Sequence, residues 1–203
     1  MSPDGPGAGD LPEGLDPAVA ARLPVPVRRR RRRPPEGTVE VHGVDEQSDQ
    51  PVDVGRWVAL ARSVLDAEGV RGEAELSISF VDEKVLADLN RRFMDADGPT
   101  DVLAFPLDDP VDAGRWPDAG ATGPDREPLE LADLPLLLGD VVVCPAVAAR
   151  QAPEHAGSYE DELALLVVHG TLHVLGHDHA EPEETAVMQA KERELLDRFH
   201  HQR

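Results

Sequence analysis

From residue 38 onward, apolar and polar positions fall into short periodic runs. TVEVH (38–42) alternates and predicts a strand. In PVDVGRWVALARSVLDAEG (51–69), Val54, Trp57, Val58, Ala61 and Leu65 share one helical face, and Gly69 suits the stop. EAELSISFVD (73–82) turns Leu76, Ile78 and Phe80 to one side, the mark of a half-buried strand. DEKVLADLNRRF (82–93) predicts a second helix, with acids in its first turn and arginines in its last, as the helix dipole favours. PTDVLAFP (99–106) reads as a short strand between prolines, and LLLGDVVVCP (136–145) as a central strand apolar on both faces. Between them, residues 107–135 are rich in Asp, Pro and Gly and predict a long mobile loop. A helix is expected from Ser158 or Glu160 to about Leu175. An amphipathic one follows from Pro182 to about Phe199, with Pro182 at its first position and Glu183 and Glu184 in its first turn. This order predicts a single α/β domain over 38–203, a small sheet with helices packed on it.

Residues 1–37 lack this periodicity. They are rich in Pro, Gly, Asp and Arg and are expected to be a disordered tail. Six consecutive arginines, Arg28 to Arg33, lie inside it. A phosphate-binding arm is one reading; a solvated charged tail is the commoner meaning of such a block. An export signal would need an apolar run next, and PPEGTVEVHG is not one.

Charge narrows the function classes. The chain carries a net charge of -20; residues 1–37 contribute +2 and the remainder -22. The average field of the domain therefore repels phosphate, which counts against nucleic acid as a partner. Aromatics make up only 3% of residues, so Leu, Val and Ala must fill the core. Cys144 is the one cysteine, which excludes an internal disulfide and a Cys-rich zinc site and fits a reducing cytoplasm. No apolar run approaches membrane-spanning length, so no membrane partner is expected.

Four of the eight histidines fall within eleven residues, in HGTLHVLGHDH (169–179). His169 and His173 are four apart, so a helix puts both rings on one face, one turn apart. Gly176 can adopt the left-handed conformation that turns the chain off the helix, letting His179 swing back toward the same point. Three imidazoles with one position open to water form the catalytic rather than the structural zinc pattern. A lone histidine on an apolar helix is usually a satisfied core residue, but buried imidazoles in this number would leave ring nitrogens unpaired. The preceding LALLVV (163–168) embeds the helix and makes the site rigid. His177 has three readings: a fourth ligand, an outer hydrogen-bond donor, or an exposed residue. Asp178 is either an orienter of a ligand imidazole or a turn residue. His42, His155, His200 and His201 are scattered or terminal and take no site role.

The proteolytic pattern H-E-x-x-H carries its general base after the first histidine. Here that position is Gly170, which argues against peptidase chemistry. What remains is a metal-bound water of lowered pKa as nucleophile, with the cation as Lewis acid, and both suit phosphodiester hydrolysis. Nickel or cobalt would also accept three imidazoles.

HGTLHVLGHDHAEPEE resembles the signature H-G-x-L-H-L-x-G-Y-D-H of the YbeY family, bacterial endoribonucleases of ribosomal RNA maturation. LNRRFMDADGPTDVLAFP (89–106) resembles the family's second block, L-N-x-x-[YW]-R-x-x-D-x-P-T-D-V-L-S-F-P, and LGDVVVCP (138–145) its L-G-D-I-x-I-x-P strand. The three occur in the expected order, so the resemblance spans about residues 38–199. It implies a zincin-like α/β (α+β) fold with a small, mixed, mostly parallel sheet of about four strands. It also implies one zinc ion per chain, held by His169, His173 and His179. The implied substrate is single-stranded RNA, in 16S ribosomal RNA 3′ end processing and ribosome quality control. The implied partners are ribosomal RNA precursors, the small ribosomal subunit and the Era GTPase, in the cytoplasm. Two positions depart from the pattern: the second-block arginine falls at Met94, with Arg91 and Arg92 nearby, and the usual tyrosine is His177. Asp101, in the Pro-Thr-Asp step, reads as an orienter of ligand or water, or as a strand-edge residue. Two other readings stay open: a zinc metallopeptidase with a base from elsewhere, and a non-enzymatic ribosome-assembly factor whose metal is structural.

Overall fold

Alternation puts residues 74–80 in a strand. Ala74, Leu76, Ile78 and Phe80 are buried and the residues between them are half-buried, because successive side chains of a strand face opposite ways. The computed structural model describes residues 38–107, 135–177 and 182–201. The expected tail at 1–37, nearly all of the expected loop at 107–135, and Asp178 and His179 lie outside the described residues. In chain order the elements are β1 (Val39–Asp45), α1 (Val54–Ala67), β2 (Ala74–Phe80), α2 (Glu83–Phe93), β3 (Val102–Pro106), β4 (Leu136–Val143), α3 (Pro145–Gln151), α4 (Tyr159–Val174) and α5 (Pro182–Phe199).

The four strands form one mixed sheet in the order β1-β2-β4-β3. β1 runs parallel to β2 and β2 parallel to β4, with Val41 opposite Leu76 and Ile78 opposite Val141. β3 runs antiparallel to β4, with Leu103 opposite Val142. β4 is central, as its unbroken apolar run requires. Val141 and Val143 face a core shared with α1, α4 and α5, while Val142 faces a smaller core with Leu86 of α2 and Val147 of α3. Among the described residues no helix is long and apolar enough to cross a membrane.

One helix and a following turn were not anticipated. Pro145, which by its sequence ends a strand, instead opens α3, where its missing N–H costs nothing; Ala152–Glu154 then makes one 3-10 turn. Cys144 caps this helix from a fully buried position, and burial pushes its thiol pKa up, so it is a poor nucleophile.

Packing, more than capping, holds α4. The Ser158 hydroxyl accepts the Asp161 N–H at 3.1 Å, and three acids occupy the first turn. Such terminal contacts stabilise by about 1 kcal/mol each. Leu163, Val167, Val168 and Leu172 are each at most 1% exposed. Each is worth about 1.5–3 kcal/mol in burial, so their sum dominates.

Glu162 is the one fully buried carboxylate of α4. Both its oxygens face His155 Nδ1, at 3.0 and 3.1 Å, and the Ala156 N–H donates to Oε2 at 3.2 Å. This hydrogen bond, then the Glu162 charge, raises the His155 pKa above its usual 6.5. A raised histidine stabilises the fold fully below the unfolded value near 6.5, and the contribution fades as pH climbs through the folded value. His155→Gln should therefore lower Tm at about pH 5.5 and progressively less toward about pH 8.5. A Tm deficit that grows with pH would contradict the assignment.

Candidate metal centre

His169 and His173 stand one turn apart on α4, and their rings meet. The Nε2 atoms are 3.1 Å apart, the ring centroids 4.5 Å apart, and the planes are inclined by 76°. His169 Nδ1 lies 2.7 Å from Glu192 Oε1, on α5. A carboxylate there accepts a hydrogen bond from the Nδ1–H, which leaves His169 Nε2 as the lone-pair nitrogen. The His173 Nε2 faces it across the same point. Two imidazole nitrogens aimed at one point, one of them braced from behind by a carboxylate, form the donor arrangement that divalent metals use. The residues present fit the cation that the spacing implies.

Gly176 makes the expected turn. Its φ is +87°, its N–H donates to the His173 carbonyl at 2.9 Å, and the His177 N–H donates to the Leu172 carbonyl at 3.1 Å. These two bonds form the paired C-terminal cap in which glycine is favoured. His179, the third expected ligand, and Asp178 lie outside the described residues. His177 Nε2 is taken up elsewhere: it lies 3.3 Å from Glu68 Oε2, and Glu68 also pairs with Lys191 at 3.0 Å. This contact ties the turn after α4 to Glu68, the residue that caps the C-terminal end of α1.

Gly170 explains the absent proteolytic base. A Cβ at this position would sit 2.5 Å from Val141 Cγ1 and 3.3 Å from Val102 Cγ2. Position 170 faces the sheet, so a glutamate there would be driven into β4 and away from the histidines. Asp101 braces its own strand: Oδ1 accepts from the Val102 N–H at 2.8 Å and from the Thr100 hydroxyl at 3.1 Å. Met94 ends α2 and is exposed, beside Arg91, which pairs with Asp88, and the exposed Arg92.

The family model described as endoribonuclease YbeY matches residues 43–200. The chain belongs to the YbeY family. An endoribonuclease YbeY from Salinispora tropica is 48% identical over 154 residues, covering 75% of this chain and 92% of the relative. One from Thermobifida fusca is 47% identical over 155 residues, covering 75% and 90%. A Mycobacterium relative of the same name is 44% identical, covering 77% and 81%. Among solved structures, TM1509 from Thermotoga maritima aligns over 81% of this chain and 93% of its own, at 22% identity and a TM-score of 0.46.

Glu192 is the site residue that sequence reasoning missed. A signal was present: it falls on the apolar face of α5, four residues after Met188 and three before Leu195, both 2% exposed. A carboxylate in such a row needs a partner, and here the partner is His169. Glu192→Ala should lower metal affinity by about 10- to 100-fold, with Glu192→Gln recovering part because its amide oxygen still accepts from Nδ1. Competition titration against a chelating dye reads this. Equal affinity in all three proteins would remove Glu192 from the site.

Proposed function

We propose that this YbeY-family chain is a metal-dependent endoribonuclease that cuts single-stranded RNA during ribosomal RNA maturation, with zinc held by His169, His173 and His179. The observation that carries the reading is the 3.1 Å approach of two Nε2 atoms, with Glu192 behind one of them. When bound, the cation lowers the pKa of a coordinated water and polarises a phosphoryl oxygen.

The protein's own part is positioning. Glu192 holds the Nδ1 proton of His169 and so keeps Nε2 directed at the site. Gly170 lets α4 close directly onto β4, which fixes the height of both histidines above the sheet. The turn at Gly176 ends α4 directly after the two histidines, as a third ligand from His179 would require. The same reading assigns the 3′ end of 16S ribosomal RNA as substrate and gives the enzyme a share in ribosome quality control. Precursor RNA, the small ribosomal subunit and the Era GTPase are its partners, in the cytoplasm. Residues 1–37 are a tail on a hydrolase domain spanning 38–203. A domain charge of -22 cannot gather free RNA over long range, and a substrate presented on the ribosomal particle suits that charge.

A peptidase reading loses ground at Gly170, where the usual base would point into the core. The deciding experiment measures metal content and single-stranded RNA cleavage on one preparation. Zinc-dependent peptide turnover with RNA left intact would overturn the nuclease reading.

A further inference from the structure

The end of α5 and the start of α4 bring together three groups far apart in sequence. Asp161 lies in the first turn of α4. Its Oδ2 accepts from the Ser158 hydroxyl at 2.7 Å, and its Oδ1 accepts from His200 Nε2 at 2.8 Å. His201 Nε2 lies 3.8 Å from the same Oδ1, and His201 Nδ1 lies 3.2 Å from Asp197 Oδ1. One ligand atom from each of Asp161, His200 and His201 falls within 4.8 Å of the others. The backbone holds both histidines, whose N–H groups donate to the Leu196 carbonyl at 2.9 and 3.0 Å.

We propose that Asp161, His200 and His201 form a second divalent-cation site, for zinc, nickel or cobalt, that staples the end of α5 to the start of α4. Two imidazole nitrogens and a carboxylate oxygen are a donor set these metals accept. Ligand atoms about 2.0–2.1 Å from a tetrahedral ion sit roughly 3.4 Å from one another. The distances here of 2.8 and 3.8 Å bracket that value, so small side-chain rotations suffice. Asp197 on His201 Nδ1 directs Nε2 inward, as Glu192 does for His169.

One group opposes the ion. Arg56 Nη2 lies 3.4 Å from His200 Nδ1 and must turn aside when that nitrogen carries the ring proton. The site is therefore weaker than the histidine pair of α4. It is also separate. α4 and α5 run antiparallel, with His169 against Glu192 and Asp161 against His200, eight residues further along each helix. At 1.5 Å per residue the two sites stand about 12 Å apart. A cation at the second would clamp together the two helices that build the first.

The test is nickel titration of the full chain by calorimetry, with metal analysis and melting curves, on wild type, His201→Ala and His173→Ala. His201 is half exposed and outside the catalytic machinery, so its loss should spare folding and RNA cleavage. Wild type should bind two equivalents and His201→Ala one. Nickel should raise the Tm of His173→Ala but add nothing further to His201→Ala once its first site is full. Equal stoichiometry and equal Tm gain in wild type and His201→Ala would overturn the second site. If wild type binds one equivalent that His201→Ala loses and His173→Ala keeps, this site stands and the α4 site falls.

Discussion

Replacing His173 with alanine should strip the metal and reduce single-stranded RNA cleavage by about 10³-fold or more, while the fold survives. Half of the observed ring pair goes with it, since His173 Nε2 is the atom 3.1 Å from His169 Nε2. His169 would keep its bond to Glu192 but could supply only one nitrogen of the pair. Lewis-acid stabilisation is worth several kcal/mol, and each 1.36 kcal/mol is tenfold in rate, which sets the size of the loss. Stability should change by less than about 1 kcal/mol, because His173 is only partly buried, unlike its neighbour Leu172. Metal analysis, a cleavage assay and a melting curve on one preparation check all three. Full cleavage by a metal-free His173→Ala protein would refute the nuclease mechanism. A metal-loaded wild type that never cuts RNA, with variants that lose stability and ribosome association together, would favour the assembly-factor reading.

Gly139→Ala should be the most damaging small substitution for stability. Gly139 sits in β4 at φ +148°, opposite Pro106 of the edge strand β3. A Cβ there would lie 2.2 Å from the Phe105 carbonyl oxygen and 3.1 Å from Pro106 Cα. Both are backbone atoms, so no side chain can rotate to make room. The neighbouring register shift, which leaves Leu138 unpaired between Leu137 and Gly139 in the β2–β4 ladder, already bends this part of the sheet. Overpacking costs about 1–3 kcal/mol and the conformational strain about as much again. Their sum is a large part of the 5–15 kcal/mol that holds a typical domain together. Tm should fall by roughly 4–24 °C, or the protein should fail to accumulate. Because Val102 of β3 packs beside Gly170 on α4, metal affinity should fall as well. A Gly139→Ala protein melting within about 2 °C of wild type would show that β3 can yield.

Much of the architecture was legible in the chain because burial follows periodicity. Leu76, Ile78 and Phe80 alternate and are buried; Trp57, Ala61 and Leu65 recur at helical spacing and are buried. α3 was missed because seven residues are too few to display a period, and Pro145 signals a strand end as readily as a helix start. The centre of the site was legible for a different reason. An i, i+4 histidine pair and a following glycine are local relations, and local geometry alone brings His169 to His173 and turns the chain at Gly176.

Contacts that depend on how helices lie against one another could not be read in this way. Glu192 and His169 are separated by 23 residues, and Glu68 and His177 by 109. His200 and His201 looked like loose terminal residues until α5 ran back along α4 and set them beside Asp161. Taken alone, the sequence determined most of the elements, the histidine spacing and the family, because each is written within a few turns of chain. Only the tertiary structure decided which carboxylate braces which imidazole, since that pairing is set by the antiparallel packing of two helices and by no spacing along either.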